Sequence, residues 1–450
     1  MNMKSSLIAE ITGGKIIGGT GDEIIKGAVI DSRKAAEGYL FVPLKGEKAD
    51  GHDYIESAAK NGCRVSLSEK DVKAENICLI KTKNNEEALG KIAAYHIKEV
   101  APLKIAVTGS VGKTTTRDMI HAVVKMAGKA LKTKGNFNNN IGLPLTVLEL
   151  EDEKTAVLEM GMDKPGEIDY LSKIVRPDIG VITNIGYSHI EHLGSKDNIL
   201  AAKAEMLDNL SEGGVMVLNG DDEYLLKLKK RTDKKLVYFG CENKDVEYPI
   251  TVVDENKGIF ESGGFVFSAG LPGKHNIYNA SVTVIIGKML GLSDEKIQKG
   301  LDLCEYTEMR LAFYKYNGYT VINDCYNASP DSMRASLRVL AAAEGGRKTA
   351  VLGSVAELGN MHDELMYEVG KFAASSGIDC LMTVGAEAGI INKGARDAGF
   401  SNEMNFKNNG EAKIYIKANA RENDVYLIKG SRMYKMEEIS DYLLGKGENK

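Results

Sequence analysis

A chain of 450 residues is longer than one ordinary hydrophobic core organises, so two to four domains are expected. Charged residues make up 27% and hydrophobic ones 43%, the balance of a soluble globular protein. A net charge of -5 argues against a nucleic-acid partner, which calls for a basic excess. The six cysteines, Cys63, Cys78, Cys241, Cys304, Cys325 and Cys380, are scattered without paired spacing and read as reduced, mostly buried thiols of a cytoplasmic protein. No signal peptide is evident, and no stretch is long and apolar enough to span a bilayer.

Taken in chain order, the first segment shows strand-like runs at 28–30, 39–44, 63–67 and 77–80 and helical patterns at 54–61 and 85–98. Gly62 is expected to close the first of these helices. Ala101-Pro102 then breaks the pattern, and a domain boundary is expected there. The middle segment alternates strands (105–107, 156–159, 179–183, 215–218, 236–239) with helices such as 198–210 and 222–230. That alternation predicts a parallel sheet covered by helices. Around 246–268 the pattern shortens to an antiparallel insert, and helices return at 276–290 and 294–303. A third α/β unit begins near Arg310, with strands at 320–322, 350–352, 381–384 and 425–428 and helices at 332–343, 362–374, 390–398 and 436–444. The polar tail 445–450 is expected to fray.

The most telling stretch is Thr108-Gly109-Ser110-Val111-Gly112-Lys113-Thr114-Thr115-Thr116. It follows the buried strand run 104–107 and opens a helix with apolar positions Met119, Ile120, Val123, Val124 and Ala127, closed by Gly128. Strand, glycine turn and helix start form a nucleotide phosphate site, because glycines admit phosphate oxygens to backbone N–H groups and the helix N-terminus adds a favourable dipole. Lys113 then reaches the outer phosphates and the Thr114 hydroxyl serves magnesium. A glycine turn that merely caps a helix is the competing reading, and Gly-Lys-Thr-Thr in this context disfavours it. The loop is two residues shorter than the usual P-loop.

Other candidates narrow the chemistry. Glu159 ends an apolar strand, where ligands of open α/β sheets bind, and would complete a magnesium site with Thr114; a capping or surface glutamate is the bland alternative. Asn184 and His189 follow the next strand, and His189 is a metal-ligand candidate ahead of the nearby His192, although a lone histidine is more often structural. In the helix 198–210, Lys203 falls in the apolar stripe of Ile199, Met206, Leu207 and Leu210. It must snorkel, pair with an acid or change its charge, and the pattern alone favours snorkelling. The amide-rich stretch 136–142, with Asn138 and Asn139, suits sugar or phosphate recognition or a solvated turn. Asn276 before Asn279 reads as an N-cap. Arg310, Asp324 and Asn327 cluster at the start of the third unit, and Lys429-Gly430-Ser431-Arg432 links the last strand to the last helix as a further anion pocket.

Together these stretches resemble the Mur ligases, cytoplasmic amide ligases that build the peptide of bacterial cell-wall precursors, and the resemblance spans nearly the whole chain. The short loop 108–116 is similar to the family's own glycine-lysine-threonine motif. Glu159-Met160-Gly161-Met162, Asn323–Met333, Val355-Ala356-Glu357-Leu358-Gly359 and Lys429–Arg432 resemble the member that adds a dipeptide, whereas Asp31-Ser32-Arg33 and Phe41–Gly46 are shared with its neighbour. Four positions depart from the family's habit: Met309 stands where glycine is usual, Asn323 for aspartate, Cys325 for serine or threonine, and Ser329 for asparagine.

The resemblance implies an α/β fold in three domains: a small N-terminal α/β domain for a UDP-muramoyl substrate (1–101), a central P-loop-type parallel sheet wrapped by helices for ATP (102–306), and a C-terminal Rossmann-like ligase domain (307–450). It implies an ADP-forming reaction in which D-alanyl-D-alanine is joined to UDP-N-acetylmuramoyl-tripeptide through an acyl phosphate. That step serves peptidoglycan synthesis, cell shape and division. ATP and Mg2+ are the implied cofactors, the partners are small molecules, and a cytoplasmic monomer is expected. Lys113, Lys203, His189 and Glu159 are the implied catalytic residues. Thr108, Gly109, Ser110, Val111, Gly112, Lys113, Thr114, Thr115, Asn279, Arg310 and Asp324 are the implied nucleotide contacts. Ser32, Arg33, Asn138, Asn139 and Asn327 are the implied substrate contacts. Thr114, Glu159, His189 and Lys203, the last as a carbamate, are the implied metal ligands. Two competing functions remain: a family member adding one amino acid to the muramoyl dipeptide, against which Asp324–Met333 argues, and a nucleotide-dependent switch, which would not need Glu159, His189 and Lys203.

Overall fold

The structure is a computed structural model and describes residues 1–446; the end of the tail expected to fray, 447–450, lies outside the described residues. The chain forms two compact units, one of residues 1–107, 128–180 and 204–215, the other of residues 108–127, 181–203 and 216 onward.

The first unit opens with the short strand Met3–Lys4, paired antiparallel with Ile24–Ile25, and the helix Ser5–Thr12, neither expected from the sequence. A five-stranded sheet follows, in the order Lys15–Ile17, Cys78–Lys81, Val65–Ser68, Tyr39–Phe41, Gly27–Val29. Its strands pair in parallel except for the antiparallel Lys15–Ile17 edge. Helix Asn85–Val100 starts on Asn84, whose side chain accepts from the Glu87 N–H, and ends at Ala101, the residue before Pro102. The strand that leads into the phosphate loop, Leu103–Thr108, runs parallel to Thr155–Glu159, which runs parallel to Ala130–Lys132. Ala156, Val157 and Leu158 are fully buried, as strands covered on both faces require.

In the second unit the strand Lys235–Gly240 is parallel to Tyr248–Asp254. From there Ile259–Ser262 and Phe265–Ser268 continue antiparallel, so the expected insert extends a sheet edge. A six-stranded sheet has the order Ala312–Tyr316, Tyr319–Asn323, Val425–Lys429, Lys348–Leu352, Cys380–Val384, Glu403–Phe406, all parallel but for the first hairpin. That hairpin turns on Asn317 (φ +47°) and Gly318 (φ +82°), the Asn-Gly pair that a two-residue turn of this hand needs. The edge strands Ala312–Tyr316 and Glu403–Phe406 and the helix Asn409–Asn419 were not anticipated; the helix buries only Ala412 and Ile416.

Three local expectations are corrected. The helix expected over 198–210 is α-helical over Lys196–Ala204 and tightens into a 3₁₀ turn over Glu205–Asn209. Asn276 does not cap its helix: Gly273 holds that position, and the Asn276 amide instead donates to the Pro272 carbonyl at 2.8 Å. The Lys429–Arg432 stretch leads into a short 3₁₀ turn, and the last helix begins only at Glu437.

Helix Pro330–Ala342 has a built start. The Ser329 hydroxyl accepts from the Ser332 N–H at 3.2 Å, the Ser332 hydroxyl accepts from the Ser329 N–H at 2.9 Å, and Pro330 follows in the first turn. Serine and asparagine are equally good in this role, so the departure at Ser329 leaves the cap intact. We expect Ser329→Ala to cost about 1 kcal/mol and Ser329→Asn to be near neutral, read as midpoint shifts in urea unfolding. An unchanged midpoint for Ser329→Ala would show that the cap contributes nothing.

Candidate active site

In the second unit the phosphate loop is a rigid cradle. Gly109 has φ +145° and Gly112 φ +88°, conformations that favour glycine. A Cβ on Gly109 would collide with the Thr183 hydroxyl, and one on Gly112 would lie 2.6 Å from Asn279 Oδ1. The segment 183–188 clamps the loop from outside. The Ser110 N–H donates to the Asn184 carbonyl at 3.0 Å, the Val111 N–H to Asn184 Oδ1 at 3.0 Å, and the Asn184 amide to the Val111 carbonyl at 2.8 Å. The Gly186 N–H donates to Ser110 Oγ at 2.8 Å. Asn184 thus braces the loop, a role the sequence reading did not assign. The helix Lys113–Val124 begins at Gly112, which has no side chain to cap the first turn. Its N–H donors and dipole face the loop's concavity. Lys113 folds back so that Nζ donates to the Gly109 carbonyl at 2.8 Å. Thr114 is buried at 3% exposure, and among the described residues the buried Thr108 hydroxyl has no hydrogen-bond partner.

A cavity of about 130 Å³ opens over this loop, and Ser110–Thr115, Asn279, Arg310, Asp324 and Asn327 all line it. The structure therefore brings together residues that the sequence spreads over more than two hundred positions. Asn279 accepts from the Thr116 hydroxyl at 3.1 Å. The Arg310 guanidinium lies over the Tyr326 ring at 4.1 Å. Asp324 is a hub: Oδ1 accepts from the Leu311 N–H at 3.1 Å, and Oδ2 accepts from Ser336 Oγ at 2.7 Å and Lys429 Nζ at 2.5 Å. Lys429, expected as part of a separate anion pocket, is instead this aspartate's counter-ion and a wall of the same cavity. His275 was not singled out from the sequence; it lines the wall, and burial pushes its pKa down to about 4, against the pull of Asp324. An adjoining cavity of about 200 Å³ has Asn219, Phe239 and Tyr278 on its walls, with the Tyr278 hydroxyl fixed on Asp221 at 2.7 Å.

Two metal candidates sit elsewhere in this unit. His189 has φ +63°, and its Nδ1 lies 2.7 Å from Glu357 Oε2. At that distance the two make an ion pair whenever the imidazole carries its second proton. The bond to His189 holds the Glu357 carboxyl below its ordinary range, against the upward push of its burial. Glu357 itself has φ +62°, so two strained residues face each other. Lys203 is only 1% exposed. Snorkelling to solvent, which the pattern alone favours, is therefore overturned.

In the first unit the Glu159 carboxylate is 2% exposed and accepts from the Asn138 amide at 2.8 Å, while the Thr133 hydroxyl accepts the Glu159 N–H at 2.9 Å. Asn139 uses its Oδ1 on the Gly142 N–H at 2.8 Å, starting the helix Gly142–Val147. A third cavity, of about 780 Å³, is lined by Lys26, Asp31, Lys34, Tyr39, Lys134, Phe137 and Asn139 among others. Ser32 lies buried beside it, and Arg33 turns to solvent, paired with Asp31 at 2.8 Å.

Three family models match in succession: "Mur ligase family, catalytic domain" over residues 24–99, "Mur ligase middle domain" over 107–287 and "Mur ligase, glutamate ligase domain" over 309–432. The UDP-N-acetylmuramoyl-tripeptide–D-alanyl-D-alanine ligase of Bacillus subtilis (strain 168) is 39% identical over 92% of each chain. A crystal structure of MurF from Acinetobacter baumannii is 31% identical and superposes with a TM-score of 0.91 over 99% of each chain. The MurF ligase of Thermotoga maritima, solved in complex with ADP, is 26% identical with a TM-score of 0.83, covering 94% of this chain and 97% of its own. A cradle for phosphate, a wall of charge facing it and this extent of identity with a relative matched over nearly its whole length lead to one conclusion: the chain belongs to the Mur ligase family.

Proposed function

We propose that the cavity over the phosphate loop binds ATP and that this enzyme uses it to join D-alanyl-D-alanine to UDP-N-acetylmuramoyl-tripeptide, giving the pentapeptide precursor of peptidoglycan. One observation carries the reading: the loop Ser110–Thr115 and the residues Asn279, Arg310 and Asp324 face a single cavity. The same reaction stands in the name of the relative that is 39% identical. Residues 1–101, 102–306 and 307–450 are read as the substrate, ATP and ligase domains, and the three family matches fall within those bounds. No helix of the described residues is long and apolar enough to cross a membrane, and the reading is of a cytoplasmic monomer acting on small molecules.

The tripeptide's terminal carboxylate oxygen attacks the γ-phosphorus of ATP and ADP leaves, which forms an acyl phosphate. The dipeptide's amine nitrogen then attacks the acyl carbon, phosphate leaves, and the nitrogen gives up a proton. The substrate is its own nucleophile, so the protein's task is positioning and neutralising charge. The N–H groups of the loop and first helical turn, with Lys113, meet the phosphates. Asn279, Arg310 and Asp324 hold the nucleotide, and Phe239 and Tyr278 offer the ring faces a base needs. Neutral at physiological pH, His275 adds no charge of its own to the wall. In the first unit's cavity, Lys26, Lys34 and Lys134 suit a diphosphate and Tyr39 and Phe137 a uracil ring, with Ser32, Arg33, Asn138 and Asn139 close in sequence to them; Asn327, on the lining of the cavity over the phosphate loop, is read as a further substrate contact. Thr114, His189 and Lys203 are read as magnesium ligands by donor type, a hydroxyl, an imidazole and a carbamate, with the Glu357 carboxylate 2.7 Å from His189 Nδ1. The buried Glu159, oriented by Asn138, has a ligand's chemistry too. Magnesium, when bound, supplies neutralisation of phosphate charge.

Purified protein given ATP, Mg2+, UDP-N-acetylmuramoyl-tripeptide and D-alanyl-D-alanine should yield the pentapeptide by mass spectrometry, and single amino acids should not replace the dipeptide. Lys113→Ala should stay folded by circular dichroism but ligate slower by several orders of magnitude, because its charge matters most where phosphate charge redistributes. Normal turnover by the folded variant would remove the loop from the mechanism.

Lys203 is read as a carbamate. The neutral amine attacks carbon dioxide, a C–N bond forms, the nitrogen loses a proton, and the product is an anionic oxygen ligand of the kind magnesium prefers. Protein equilibrated with ¹³C-bicarbonate should show a carbamate carbonyl resonance that Lys203→Ala lacks. Lys203→Ala should be folded and nearly inactive, with partial rescue by high concentrations of short carboxylates. A wild-type spectrum without that resonance, or full activity of Lys203→Ala, would refute the carbamate.

A further inference from the structure

The helix that carries the phosphate loop on its first turn, Lys113–Val124, bears two adjacent charged side chains just beyond it, Arg117 and Asp118, each only 1% exposed. Buried charges are tolerated when their polar atoms are matched. The two pair with each other at 2.8 Å, and Thr307 joins them. Its hydroxyl donates to Asp118 Oδ2 at 2.8 Å and accepts from Arg117 Nη2 at 2.9 Å, while its N–H donates to Asp118 Oδ2 at 3.0 Å. Every polar group of Thr307 except its carbonyl is thus used on one turn of the phosphate-loop helix.

Thr307 begins the short segment that presents Arg310. Met309 (φ +59°) and Leu311 (φ +51°) flank Arg310 in the left-handed region, which costs an L-residue about 1–2 kcal/mol. Such a segment keeps its shape only where its surroundings over-determine it. Here the far end is tied by the Leu311 N–H on Asp324 Oδ1 at 3.1 Å, the middle by the Tyr326 N–H on the Met309 carbonyl at 3.1 Å, and the near end by Thr307. Arg310 lies between these ties, lines the cavity, and has a buried Nε with no hydrogen-bond partner among the described residues.

We propose that Asp118 and Thr307 form a clasp that sets Arg310 against the nucleotide, so that the phosphate loop and the arginine across the cavity hang from one helix. Neither clasp residue lines the cavity; both are positioning residues. The inference rests on the reading that Arg310 contacts the nucleotide.

ADP titrated calorimetrically into the full chain tests both. Arg310→Ala and Thr307→Val should each weaken ADP by about tenfold or more, Thr307→Ser, which keeps the hydroxyl, by less than about threefold, and the Thr307→Val, Arg310→Ala double variant no further than the weaker-binding single one, since groups acting through one contact are not additive. KM for D-alanyl-D-alanine should not move. Thr307→Ala, a smaller change, is judged by the same criteria should Thr307→Val fail to fold. Wild-type ADP affinity in folded Thr307→Val or Thr307→Ala, or single effects that multiply in the double variant, would overturn the clasp even if thermal stability fell. Wild-type affinity in Arg310→Ala would overturn the nucleotide reading instead.

Discussion

The pair Asp324–Lys429 is the contact on which the second unit's site depends. It joins the carboxyl ends of two neighbouring parallel strands, Tyr319–Asn323 and Val425–Lys429, with side chains only 15% and 3% exposed. A pair so placed gains little net stability, because desolvation offsets most of the Coulomb term; breaking it by removing one partner costs about 3–5 kcal/mol. Its value lies in what else it holds. The same carboxylate fixes the Leu311 N–H at one end of the Arg310 segment and the Ser336 hydroxyl on the helix Pro330–Ala342. Strand ends, helix and linker therefore share one electrostatic anchor, and the cavity wall they form is set before any ligand arrives.

The facing wall is built on the opposite principle. The phosphate loop spends few side chains on itself and much backbone. Its two left-handed glycines are hemmed in by Thr183 and Asn279, and Asn184 grips Val111 from both sides. A loop held this way offers donors at fixed positions without needing to reorganise when charge shifts. Lys113 folds back onto the loop it follows, its Nζ donating to the Gly109 carbonyl.

The fold class and the site's location are legible in the chain because both rest on local patterns. The apolar run after the Ala101-Pro102 break marks the strand Leu103–Thr108, and Gly-Lys-Thr-Thr marks the helix that follows. The Asn317-Gly318 hairpin was not read from the sequence, because its first strand, Ala312–Tyr316, is a half-exposed edge with no fully buried residue. The helix Asn409–Asn419 escaped for the same reason, having only two buried side chains. What no local pattern carries is pairing across the chain. Nothing near Thr307 announces Asp118, nothing near His189 announces Glu357, and Asn184 looks like any loop amide until Val111 is beside it. Met309 shows the converse: where glycine is the family's habit, the structure has φ +59°, so the habit was a backbone requirement that this chain meets at a cost.

The charge around the cavity follows from these contacts. Lys113, Arg310 and Lys429 bring three cations to its lining, and Asp324 is the carboxylate set among them, with Oδ2 already committed to Lys429. His275 adds nothing, since burial keeps it neutral far below physiological pH. The lining is therefore cationic in excess, and the excess stands in a recess where water screens poorly. A polyphosphate is the ligand that settles such a balance, and a single carboxylate would leave it unsatisfied. The same excess explains why the anchors are so thoroughly bonded. Lys429 is tied down by Asp324, and Arg310 by the Tyr326 ring and its strained, stapled backbone. A wall tied together in this way acts as a unit, so a change at any one of its anchors reaches the others.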